Sequence, residues 1–232
     1  MFYGELAYVI LAPLTILGVV VLSIVALSGR SEPDVRGERA YVLYLSLVSF
    51  IALFTVLFAL VGLATTATHS FLDGGAECID PFDPACLEGS QDFGGELRVR
   101  DALNAGAAAA VAGGVLLYHR KRSQALVDDP GFAGSAGART FTAYLYAVAF
   151  TAMVVLLASA AVALPALVRA IAPGLTALDG SSSERDAAVS DLVPALVAGG
   201  GAAVIYLTHW RAADRLRGPR EPRRTETASP GV

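Results

Sequence analysis

The sequence predicts an all-α integral membrane protein of five transmembrane helices, in which a two-helix hairpin is repeated in parallel to form a four-helix bundle beside one N-terminal helix. Three observations predict it: long runs without charge, an internal repeat, and a lopsided distribution of basic residues. The 232-residue chain is 55% hydrophobic, above the roughly 45–50% apolar usage of soluble domains. Asp, Glu, Lys and Arg are absent from residues 6–29, 40–72, 102–118, 140–168 and 192–208. A helix rises about 1.5 Å per residue and needs about 20 residues to cross a hydrocarbon core of about 30 Å. All five runs reach that range, the third and fifth at its lower limit. A soluble amphipathic helix would interrupt such runs with polar residues on every turn.

The repeat is read directly from residue identities. Residues 39–57 align with 139–157 at an offset of 100, pairing Arg39/Arg139, Tyr44/Tyr144, Leu45/Leu145, Val48/Val148, Phe50/Phe150, Ala52/Ala152 and Leu57/Leu157. Residues 101–119 align with 191–209 at an offset of 90, closed at either end by Asp101/Asp191 and His119/His209. Each copy holds two membrane-length runs, which is the pattern of a duplicated transmembrane hairpin. Both hairpins run in the same sense, so they relate by a pseudo-twofold axis along the membrane normal.

Basic residues set the orientation. With the N-terminus outside, the segments 29–39, 119–139 and 210–232 face the cytoplasm and hold thirteen Lys and Arg, against four on the other side. Basic residues concentrate in cytoplasmic loops, so the expected topology is N-out, C-in in the cell membrane. The organisation is then an N-terminal helix over 1–29, a first repeat over 30–122 with an acidic extracytoplasmic loop at 70–100, a second repeat over 123–211, and a basic, disordered tail over 212–232.

Each element has its own cues. The first run is expected to stay as a helix, because residues 1–5 carry no basic charge and the run of 24 residues exceeds a signal-peptide core. Pro13 is expected to kink it. The second run opens with Tyr41 and Tyr44, rings suited to the headgroup level. The third and fifth runs are rich in Ala and Gly, including Gly106, Gly114, Gly199 and Ala203, and are read as the inner, closely packed helices. The fourth carries Pro165, where its last turn is expected to bend or break. Cys78 and Cys86 share the acidic loop, and an even pair outside the cytoplasm predicts a disulfide.

The residues that could carry chemistry gather at the helix ends. Arg39, Arg139, Tyr44 and Tyr144, with His119 and His209, form two similar groups at the cytoplasmic boundary. Guanidinium forks suit phosphate, which makes these Arg and Tyr residues candidates for a lipid headgroup or another anion. Helix-end marking explains them equally, since basic side chains snorkel and Tyr belongs to the interface. His119 and His209 are also candidate axial ligands of a haem b. A c-type haem is not expected, as there is no Cys-x-x-Cys-His. No metal site is expected, since the two cysteines have no histidine between them. Asp101 and Asp191 are read as acids at helix N-termini, and Arg169 as a partner for Asp191 or for water.

No ionisable residue falls at mid-membrane, where coupled transporters usually carry one. The chain also has no nucleotide loop, nucleophile elbow or zinc-protease helix, so an enzyme is not expected. The leading expectation is a non-enzymatic accessory or scaffold subunit. A small transporter or channel-like protein is the alternative, and a haem-binding redox subunit a third. The expected partners are membrane lipids and other membrane proteins or a second copy, not nucleic acid.

The unit Arg139…Tyr144-Leu145-Tyr146…Phe150, followed by His209-Trp210-Arg211, resembles a bacterial multi-pass membrane family of unknown function. A weaker copy stands at Arg39…Tyr44-Leu45…Phe50 and His119-Arg120, without the Trp. The resemblance implies the repeated two-helix architecture over residues 39–211 and lends no activity.

Overall fold

The computed structural model describes residues 16, 18–20, 23–24, 34, 37–72, 93–172 and 182–216. The described chain is helical, without a strand, and four helices are long and apolar enough to cross a membrane. They are α1 (Glu38–Leu72), α2 (Phe93–Val127), α3 (Ala136–Ile171) and α4 (Ser182–Leu216). The protein is therefore membrane-embedded. Of the first apolar run, only Ile16, Gly18–Val20, Ser23 and Ile24 are described, and these are helical. Cys78, Cys86 and the tail beyond Leu216 lie outside the described residues.

Each helix has 35 or 36 residues, a length of about 52–54 Å at 1.5 Å per residue. That exceeds the charge-free runs of α2 and α4 at both ends. The excess is charged, as in Arg98, Arg100, Arg120 and Arg122 of α2, so these turns suit water rather than lipid. The longer helices correct one reading. Asp101 and Asp191 lie more than two turns inside α2 and α4, beyond the first turn where the macrodipole acts. Likewise, α3 runs unbroken through Pro165 to Ile171.

The helix starts follow from capping. The Asp34 carboxylate accepts from the backbone amides of Glu38 (3.1 Å) and Arg39 (3.0 Å), and Gly37 turns the chain at φ 65°. Ser135 caps α3 by accepting from Ala138 at 3.1 Å, a contribution of about 1 kcal/mol. Between α2 and α3 the chain turns through Asp129–Ser135, where Gly134 has φ 81°. Phe132 in that turn is buried and packs against Phe141 and Gly137.

α1 is the centre of the molecule. It packs on α2, α3 and α4, and α3 packs on α4. α1 and α3 lie side by side with their starts together, since a Cβ at Gly137 would be 3.3 Å from Glu38 and Val42. α1 and α3 therefore run in the same sense. The core joins Phe50, Phe54 and Leu57 of α1 to Tyr144, Val148 and Val155 of α3 and to Ala202 and Ile205 of α4. Val19 packs against it, and Gly18 faces the Phe50 ring so closely that a Cβ would overlap it.

The small residues of the two Ala/Gly-rich helices behave differently. In α4, Gly199 lies against Ser159 (3.2 Å from its would-be Cβ) and Gly201 against Leu57 (2.6 Å). That is close packing through glycine, as read from the sequence. α2 is instead the least buried of the four spans and is peripheral. Its Gly106, Gly113 and Gly114 would meet nothing within 4 Å if each gained a Cβ. Composition allowed close approach there but did not specify a neighbour.

Candidate functional site

Heptad spacing brings the histidines to the helix seams. Ala105, Ala112 and His119 recur every seven residues among the less exposed positions of α2. At the offset of 90 they correspond to Ala195, Ala202 and His209, on the less exposed side of α4. A seven-residue interval keeps a position facing one partner helix over several turns. His119 and His209 are therefore the last residues of two Ala seams, where the helix reaches its tyrosine-bearing partner.

Both histidines meet the tyrosine of their own hairpin. The Tyr44 and His119 ring centroids are 5.8 Å apart, and those of Tyr144 and His209 are 6.2 Å apart. Each imidazole also turns Nδ1 to the carbonyl four residues back: His119 to Val115 at 2.9 Å and His209 to Ile205 at 2.8 Å. A carbonyl only accepts, so Nδ1 is the donor in each contact. Thus the corresponding residues of both hairpins make corresponding contacts.

The surroundings of the two pairs differ. Tyr144 is buried and has Ser49 of α1 as its side-chain hydrogen-bond partner, whereas Tyr44 is exposed. His119 is buried and has a second ring beside it, Tyr118 at 5.3 Å. Trp210 stacks on Tyr206 at 5.9 Å and meets Tyr146 edge-on at 5.8 Å. Arg122 lies 5.5 Å over the Tyr118 ring, an arrangement that favours a cation over the ring face. Of the two predicted arginines, Arg39 is half-buried and Arg139 exposed, each in the first turns of its helix. Sequence reasoning paired Tyr with His through the repeat. It did not identify Ser49, Arg122 or Tyr118, whose roles depend on which helix faces which.

For a haem, both Nε2 lone pairs would have to meet one iron. The structure gives each imidazole a tyrosine of its own hairpin, and α2 makes no contact with α4 comparable to its packing on α1. No group of three or more metal-ligating side chains occurs among the described residues.

At the opposite end, Arg169 of α3 donates to Asp191 of α4 at 2.8 Å, with the Asp191 side chain buried. The sequence reading offered Arg169 either this partner or water, and the ion pair is what forms. In the first hairpin the corresponding positions are His69 and Asp101, and there Arg98 reaches the His69 carbonyl at 3.5 Å.

No protein-family model, no curated protein and no solved structure matches this chain.

Proposed function

We propose that the protein is a non-enzymatic accessory or scaffold subunit of a membrane complex, built from a duplicated hairpin. The observation that carries this reading is how the polar side chains of the spans are used. Thr55, Thr65, Thr68, Thr140, Thr142, Thr151 and Thr208 each donate to the carbonyl of their own helix four residues back. Such back-bonding hides a hydroxyl from its neighbours. His119 and His209 do the same with Nδ1, and their rings meet Tyr44 and Tyr144. The threonines are thus satisfied within their own helices, and the two His meet rings of a neighbouring helix, which supports a structural role for these groups.

The matching Tyr–His contacts support the duplication, and the parallel α1 and α3 support its sense. Six of the eight tyrosines, the lone Trp and two of the three His occur at one end of the bundle, with Arg120, Lys121, Arg122 and Arg211. We place that end at the cytoplasmic leaflet, N-terminus out, where basic residues and interfacial rings meet anionic headgroups. Arg39, Arg139 and the exposed Tyr44 belong to this belt at the headgroup level, with the buried Tyr144 behind it, and the outer loop carries the Cys78–Cys86 disulfide. The first run spans as a fifth helix.

The test is purification from its native membrane in mild detergent, with the co-purifying proteins identified by mass spectrometry. Stoichiometric membrane proteins are the expected result and would name the complex. Recovery of this chain with no other protein, after mild and crosslinked preparations alike, would remove the scaffold reading.

A further inference from the structure

One packing contact between the two hairpins has no twin, although both of its surfaces exist. Leu57 of α1 is buried (3% exposed) against Gly201 of α4. The residue corresponding to Leu57 is Leu157 of α3, and the residue corresponding to Gly201 is Val111 of α2. A symmetric pair of hairpins would bring Leu157 against Val111. In this chain they are 62% and 69% exposed. The same holds one heptad away, where Phe50 is fully buried and Phe150 is 64% exposed. α1 packs on both α2 and α3, and α2 has no comparable contact with α3. Within one chain, the second half of this symmetry is therefore left open.

We propose that a second copy of this chain completes it, α2 of one copy docking on α3 of the other through Val111 and Leu157. This rests on the duplicated-hairpin reading. Copies inserted in one membrane share one orientation, so α3 of one copy meets α2 of the next antiparallel, as α1 meets α4 within a chain. The depths agree as well. Leu57 and Leu157 each lie 13 residues beyond the tyrosine of their hairpin, and Gly201 and Val111 each lie eight before the histidine. α2 is also the helix least suited to face lipid. It has the lowest mean hydropathy of the four spans and is the least buried, and it exposes Asn104 within its apolar run. Val111 is bulkier than Gly201, so the helices sit further apart than α1 and α4. Ala107 and Gly114, one turn to either side and exposed, leave room for Leu157 to settle between them.

The experiment is thiol crosslinking in native membrane vesicles. The background carries Cys78→Ser and Cys86→Ser, and a membrane-permeant oxidant forms disulfides between engineered cysteines. A single chain carrying Leu57→Cys and Gly201→Cys reports the contact already made, as a disulfide within one chain. Its absence would show the α1–α4 contact to be wrong, and the proposal with it. Differently tagged Val111→Cys and Leu157→Cys chains are then co-expressed. The expected product is a mixed-tag dimer that neither variant forms when expressed alone. A dimer of Val111→Cys with itself would mean that α2 faces its own copy, and would overturn the proposal. So would a monomer closed between Val111→Cys and Leu157→Cys in one chain, or no product while the Leu57/Gly201 control forms. Failure of the scaffold reading is seen separately, since it depends on other proteins and not on this crosslink.

Discussion

Leu57 and Gly201 fit only because position 201 has no side chain: a Cβ there would sit 2.6 Å from Leu57 Cδ1. Helices in lipid gain little from burying apolar surface and associate through close packing instead. Gly201→Val should therefore force α1 and α4 apart and cost about 1–3 kcal/mol, the usual range for overpacking. Gly106→Val is the matched control, since its Cβ meets nothing within 4 Å. Thermal unfolding in detergent should show a clear fall for the first and a much smaller change for the second. Equal falls would mean that the loss comes from helix propensity rather than from the contact.

The Arg169–Asp191 pair joins α3 to α4 at 2.8 Å with the carboxylate buried. Asp191→Asn and Arg169→Ala should each cost about 1.5–3 kcal/mol, the range for hydrogen bonds to charged groups. The double variant should cost less than the sum of the two, because one interaction is lost once. Additive losses in a double-mutant cycle would show that the two side chains act independently.

The two Tyr–His contacts should not respond alike to removal of the tyrosine hydroxyl. Tyr144→Phe loses the Ser49 hydrogen bond, worth about 0.6 kcal/mol on average between membrane helices. Tyr44 is exposed, so Tyr44→Phe should leave unfolding unchanged. A larger effect at Tyr44 would point to a ligand on that hydroxyl, and would favour the headgroup site over simple packing.

Ser46 is buried, and its hydroxyl has no hydrogen-bond partner among the described residues. A buried polar group without a partner costs about 1–3 kcal/mol. Ser46→Ala should therefore be neutral or stabilising in the same unfolding assay. A loss of stability would mean that the hydroxyl is engaged in the membrane by a group outside the described residues.

Much of the architecture was legible because lipid tolerates so little. The absence of charge over 40–72 and 140–168 could be met only by spanning helices, and α1 and α3 cover those runs. The Tyr–His contacts were half legible. The repeat placed Tyr144 and His209 at one depth, but only the heptad phase of α4 turns His209 toward α3. Helix ends were not legible, because charge stops a span without stopping a helix. This is why Asp101 and Asp191 looked like helix starts. The position of α2 at the edge was hidden for a different reason. Alanine and glycine let a helix come close, and they carry no information about which neighbour it approaches.

Membership of a larger membrane assembly is read out by native mass spectrometry of the particle extracted from its own membrane. With a chain mass of 24.0 kDa, the expected particle contains copies of this chain together with additional protein mass in fixed ratio. A particle whose mass is one or a whole multiple of 24.0 kDa, with only lipid added, would rule out the scaffold role.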